Sequence, residues 1–304
     1  RGLEFNETVS VEVLSREQYQ QNVSGSYGDT LETFDNAKFE ALFLVGEDED
    51  SISKQESNLN ASVAGYYSSS REAIVLVSDS ETPTISETTL GHELVNALQD
   101  QHFDLASIRS TTRDQANANS GIIEGDANFV QQRYENRCGE AGDWNGSCVT
   151  PGSSGDGGGG GAPANMGVYF LKFQPYSDGP AFVASEYREG GWEAVNAVYT
   201  NLPESAEQVI NPEKYGTDSP TAVSLDDEHS EEWERIRPSN RADYAEVGQT
   251  GVASMFVYPL YHEGRSGGRI VEPRNWLNYT ADNSISSFDP LNYGFAYADG
   301  WDGD

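Results

Sequence analysis

Apolar residues recur along the chain at two spacings, and the changes of spacing lay out its elements. VSVEVL, residues 9–14, alternates like a short strand, and Ser15 ahead of REQYQQN has the character of a helix start. Leu31, Phe34, Phe39, Leu42 and Phe43 keep roughly helical spacing, which predicts a helix over residues 30–45 ended by the acidic GEDEDS. From Ala64 the period shortens: AGYYSSS and REAIVLVS read as two strands around a polar turn, the second carrying Ile74, Val75, Leu76 and Val77 as one apolar run. Pro83 and a capping Ser86 or Thr88 then introduce TTLGHELVNALQDQHFDL, an amphipathic helix over 86–103.

GIIEGDANFVQQRYENR predicts another helix over 121–137. SSGDGGGGGA gives a flexible Gly-rich loop within 150–162, too short to demand a domain boundary. Residues 163–215 read as several short helices, broken by Gly190–Gly191 and punctuated by Pro203 and Pro212. Residues 216–240 are polar and acidic, VGQTGVASMFVYPLYH from Val247 closes the core, and 261–304 is an acidic, coil-rich tail. No internal repeat is visible. The pattern therefore predicts an α+β, mainly helical domain over 1–260 with a small antiparallel sheet.

Composition changes the picture chiefly through charge. The 304 residues carry 50 Asp plus Glu against 18 Lys plus Arg, a formal net charge of −32, and the lysines are Lys38, Lys54, Lys172 and Lys214. Such a chain repels nucleic acid and anionic membranes, and concentrated salt, with a screening length of about 3 Å at 1 M, relieves its self-repulsion. A globular halophile protein is the reading; 16 Tyr, 12 Phe and 5 Trp argue against a disordered acidic chain. No span is long and apolar enough to cross a bilayer. No charged-then-apolar leader follows Arg1, so a secretion signal, if there is one, is absent from this numbering.

Cys138 and Cys148, in RCGEAGDWNGSC, have no neighbouring Cys or His to complete a metal site, so a local disulfide is expected and with it an oxidising exterior. Asn-x-Ser/Thr sequons at Asn6, Asn22, Asn60, Asn145 and Asn278 agree with an extracellular or cell-surface glycoprotein.

The candidate chemistry sits on the 86–103 helix. His92 and Glu93 are followed by Asn96, nearly the HExxH pattern in which residues i and i+4 reach one Zn²⁺ and the Glu serves as general base to the metal-bound water. Glu124 on the next helix is the candidate third ligand. His102 is expected to cap its helix end, and His229 lies in a solvated acidic run. Asp126 reads as a polar helix face, while Tyr199 and Tyr215 are aromatic packing or, in an active relative, oxyanion donors. His262 in YHEGR is the candidate rescue ligand.

Four blocks together carry a resemblance: GHELVNALQDQHFDL, IIEGDA, PYSDGPAFVASEYREGGWEAVNAVYTN and PESAEQVINPEKY. Over residues 86–255 the chain resembles zinc metallopeptidase-like surface proteins of bacteria and haloarchaea, relatives of the glutamate-liganded zincins. That resemblance implies a zincin-like domain in which His92 is the first zinc ligand, Glu93 the base and Glu124 the third ligand. Two departures stand out: Asn96 replaces the second ligand histidine, and Asn211 replaces a histidine of the last block. A neutral amide oxygen substitutes poorly for imidazole on zinc. The expectation is an extracellular surface protein on a metallopeptidase scaffold whose zinc site has decayed, with a binding or structural role and with itself or other surface proteins as partners. The alternatives are an active zinc endopeptidase with a non-standard ligand such as His262, and a subunit of a surface layer or filament.

Overall fold

The computed structural model describes residues 1–24, 29–80, 82–83, 85, 87–138, 165–223, 235–239, 242, 244–261, 277–279 and 285–288. At its centre is β3 (Ala73–Val77), the apolar run, with all five residues buried. β2 (Gly65–Ser68) pairs with it antiparallel through the expected polar turn. β1 (Ser10–Leu14) pairs on the other side, giving the order β1-β3-β2.

The β1–β3 pairing is parallel, which corrects the expectation of an all-antiparallel sheet. Parallel neighbours need a long crossover, and three helices supply it: α1 (Arg16–Ser24), α2 (Asp29–Ala41) and α3 (Ser51–Ser62). Ser15 starts α1 as a reciprocal cap, its Oγ accepting from the Gln18 N–H at 3.1 Å while Gln18 Oε1 accepts from the Ser15 N–H at 2.9 Å. Helix α3 went unforeseen because its SISKQESNLNAS carries few apolar residues to mark a period.

Five further helices complete the described helical part of the chain. α4 (Glu87–Phe103) is the HE-bearing helix. α5 (Arg113–Arg137) begins well before residue 121, capped by Thr112, whose side chain accepts from the Gln115 N–H. α6 (Met166–Val198) is two helical segments that meet in a kink at Gly190–Gly191, where a break was expected, while the further break expected between residues 173 and 178 is absent. Pro175 lies inside it without ending it. Proline leaves the carbonyl four residues earlier unbonded, and here Leu171 O instead accepts from Asn117 Nδ2 of α5 at 3.0 Å. α7 (Ala206–Ile210) and α8 (Gly248–Tyr261) follow. Strands β4 (Leu277–Tyr279) and β5 (Ile285–Phe288) pair antiparallel inside what was expected to be coil, and β5 touches α6.

Packing turns on the α5–α6 crossing. Gly125 and Gly179 meet backbone to backbone, so a Cβ on Gly125 would lie 2.4 Å from the Gly179 carbonyl carbon. Around this contact Ile122, Phe182, Val183, Val195, Val198 and Val209 form one core, while Phe39, Leu44, Val168 and Leu171 join α2 to the start of α6 in another. Among the described residues no helix is long and apolar enough to cross a membrane.

Candidate functional site

Helix α4 lies against β2 and α5, so one of its faces looks at a strand edge and a neighbouring helix together. His92 Nε2 lies 3.0 Å from Glu124 Oε2, with the two side chains 11% and 21% exposed. The structure thus brings together two of the candidate ligands, here as a direct side-chain pair. Burial alone would lower the His92 pKa, but the hydrogen bond and charge of Glu124, the charge of Glu93 and a hydrogen bond to Asn128 together raise it. Asn128 follows Glu124 by one helical turn and so shares its face.

Glu93 is buried. Its Oε2 accepts from the Tyr67 backbone N–H at 2.8 Å and from Asn96 Nδ2 at 3.2 Å. Burial and then the charge of Glu124 raise its pKa, against the opposing charge of His92 and the two N–H donors. Tyr67 is anchored at its other end, where its hydroxyl donates to Asp100 Oδ2 at 2.7 Å. A third wall comes from α6: burial, and after it the charge and hydrogen bonding of Glu124, push the Tyr176 pKa well up, although the residue is 43% exposed. Phe173 stacks between Tyr176 and Tyr169, with centroids 6.3 and 5.1 Å away.

Sequence reasoning missed Tyr67, Asn128 and Tyr176. Asn128 was readable in principle, four places after Glu124 on the same helix. Tyr67 contributes a backbone N–H, which no residue type announces. Tyr176 is brought in by the glycine crossing three residues later.

The other candidates go elsewhere. His102 is exposed, and its Nε2 meets the Glu4 carbonyl at 2.8 Å, so it ties down the first segment of the chain instead of capping its own helix. Asn211 Nδ2 bonds Glu207 O and, across to α8, Gln249 Oε1 at 3.3 Å. The Tyr199 hydroxyl donates to buried Asp126 at 3.0 Å, and its ring stacks on Phe103 at 4.1 Å; Tyr215 bonds Asn201 O and sets its ring edge on Phe182. Both are packing residues, and Asp126 is a fully buried ion-pair partner of Arg1, not a polar helix face. His229, His262, Cys148 and so the expected bridge to Cys138, Asn145 and the Gly-rich loop lie outside the described residues. Of the sequons, Asn6 and Asn22 are exposed.

The donor set does not fit a catalytic zinc ion. Zinc in such sites takes three strong protein ligands at about 2.0–2.2 Å and leaves a fourth position open. Here an imidazole and a carboxylate converge, and the third corner offers the Asn96 amide, whose Oδ1 is buried without a hydrogen-bond partner. Among the described residues no group of three or more His, Cys, Asp or Glu side chains is placed to hold a metal. Comparison with protein-family models, with curated proteins and with solved structures finds no match for this chain.

Proposed function

We propose that the chain is an extracellular surface protein of a halophile that keeps the scaffold of a glutamate-liganded zinc peptidase without its catalysis, and that its role is binding or structural. The observation that carries this reading is the state of Glu93. In a working site the general base must face a metal-bound water. Here Glu93 Oε2 is engaged by the Tyr67 N–H and by the Asn96 amide that stands where the second histidine belongs. Asn96 thus removes a ligand and occupies the base at once, and His92 pairs directly with Glu124. The acidic composition and the exposed sequons at Asn6 and Asn22 support the halophilic, extracellular part of the reading.

The rival is an active zinc endopeptidase. One observation favours it: two ligands on a tetrahedral zinc lie roughly 3.3 Å apart given bond lengths of about 2.05 Å, close to the His92–Glu124 spacing of 3.0 Å. Metal analysis of protein purified in molar salt separates the two. The proposal expects zinc well below one per chain and no chelator-sensitive peptide hydrolysis, with zinc binding appearing in Asn96→His. Near-stoichiometric zinc that is lost in Glu124→Ala overturns it.

A further inference from the structure

The sheet has two edges, and they are treated differently. The outer edge of β2 is occupied, because the Tyr67 N–H is bonded to Glu93 of α4. The outer edge of β1 has no strand partner among the described residues. Leu14 O accepts from the Ser78 N–H at 2.9 Å, so Leu14 directs its backbone groups toward β3. Backbone direction alternates along a strand, so Glu12 and Ser10 also face β3, while Val11 and Val13 turn their N–H and C=O groups outward. Those same two residues carry the exposed apolar side chains of the strand, Val11 at 54% and Val13 at 47% exposure. Unpaired backbone and uncovered apolar surface thus coincide on two valines. Edges are ordinarily blunted by Lys, Pro, a bulge or a covering element, and this one has none among the described residues.

Charge narrows the choice of occupant. A chain of net charge −32 repels copies of itself over most of its surface. Along β1 that repulsion is reduced: the strand's one acid, Glu12, is bonded to Arg71 at 2.9 Å, and Arg16 follows two residues after the strand. The strand is also self-complementary, since Val-Glu-Val reads alike from either end.

We propose that two copies of this chain pair antiparallel through β1 about a two-fold axis at Glu12, joining two three-stranded sheets into one of six strands. In that register Val11 lies opposite Val13 of the second copy and each such pair exchanges two hydrogen bonds, so four form across the axis. Val11 and Val13 side chains meet on one face. The two Glu12 residues face each other as the non-hydrogen-bonded pair, each neutralised by its own Arg71. A five-residue strand buries less than a standard interface, so the dimer is weak and concentration-dependent, and molar salt strengthens it by screening the rest of the surface. The pairing is independent of any metal chemistry at His92, so its failure leaves the functional reading untouched.

Sedimentation velocity of the full chain in molar salt across a concentration series tests this. The expected result is a monomer–dimer equilibrium that shifts toward monomer as salt is lowered, and dimerisation at least tenfold weaker in Val13→Pro, which removes an outward N–H and none bonded to β3. Val11→Lys with Val13→Lys gives the same loss while keeping the backbone donors, which covers the case of a misfolded proline variant. Glu12→Cys supplies the register, because non-hydrogen-bonded partners about 4.5 Å apart at Cα lie within disulfide reach and should cross-link on mild oxidation where the parent chain does not. A monomer at every concentration, or a dimer indifferent to both Val13→Pro and the double lysine variant, overturns the proposal. A dimer without the Glu12→Cys cross-link overturns the register.

Discussion

Helix α5 carries two carboxylates two residues apart, each paired with a cation, and the pairs have opposite characters. Glu124 meets His92 at 3.0 Å with about a fifth of its side chain still open. Asp126 meets Arg1 at 2.8 Å with neither partner more than 3% exposed, and it also accepts from Tyr199 while the Arg1 guanidinium lies 4.7 Å over the Trp192 ring. Similar distances therefore serve different ends. Where water reaches a pair, its partners remain available to a ligand; where aromatic rings seal it, the pair can only hold the fold together.

The largest expected effect follows from breaking the sealed pair. Asp126→Ala leaves the Arg1 guanidinium buried without a counter-charge, on top of two Nη atoms that already lack partners. A loss of about 3–5 kcal/mol is expected, since removing one member of a buried pair strands the other. Thermal melts in molar salt measure it. A loss comparable to that of Glu124→Ala would erase the distinction between the two pairs.

Gly125→Ala should loosen both pairs together. Its Cβ would fall 2.4 Å from backbone carbon of Gly179 and 2.6 Å from the Gly179 oxygen, and main chain cannot swing aside. The helices must separate, which should cost about 1–3 kcal/mol. Because Tyr176 reaches Glu124 across this crossing, the variant should also weaken quenching or chemical protection at Tyr176. Unchanged stability would show that the crossing tolerates a methyl group and is no hinge for the site.

These two clusters also show what the chain made legible in advance. His92 and Glu93 were singled out by their near-HExxH pattern on one helix, and Glu124 by its place on the next. Both strands of the β2–β3 hairpin were readable from alternation and a polar turn. Asp126 was misread as a polar helix face because its partners come from Arg1 and Tyr199, far away in sequence, and no local pattern encodes such contacts. The passage of α6 through Pro175 was hidden for the same reason: the Asn117 side chain that takes up the freed Leu171 carbonyl belongs to another helix. The parallel placement of β1 depended on where the three-helix crossover returned the chain.

A third carboxylate sharpens the contrast through pH. Asp178, on α6 beside the crossing, accepts from Ser177 Oγ at 3.0 Å, and burial pushes its pKa up from 3.8 to about 7. A carboxyl whose folded pKa is raised contributes stability that is fully present below its unfolded value near 3.8 and is lost as the pH rises through about 7. Asp114, raised to about 6 by burial, acts in the same direction. Acidification from pH 8 to pH 5 should therefore stabilise the protein, with one such group setting a slope of about 1.4 kcal/mol per pH unit between its two pKa values. Asp178→Asn keeps the acceptor for Ser177 and should remove its share of the slope, as read from denaturant midpoints across that range. An unaltered slope would mean that Asp178 is ionised in the folded protein.

The smallest expected effect belongs to the open pair. Glu124→Gln keeps the shape and an acceptor for Tyr176 but removes the charge that, with its hydrogen bond, holds the His92 pKa up against burial. A raised histidine contributes stability that is complete below its unfolded pKa near 6.5 and fades as the pH passes its folded value. The cost of Glu124→Gln should thus be about 1 kcal/mol at pH 5 and shrink in alkaline solution, where His92 is neutral in parent and variant alike. Histidine titration by NMR gives the companion reading, a His92 pKa displaced downward in the variant. A cost that grows with pH would contradict the ion pair, because it would mean that Glu124 serves neutral His92 better than charged His92, as a carboxylate does when both are bound to one metal.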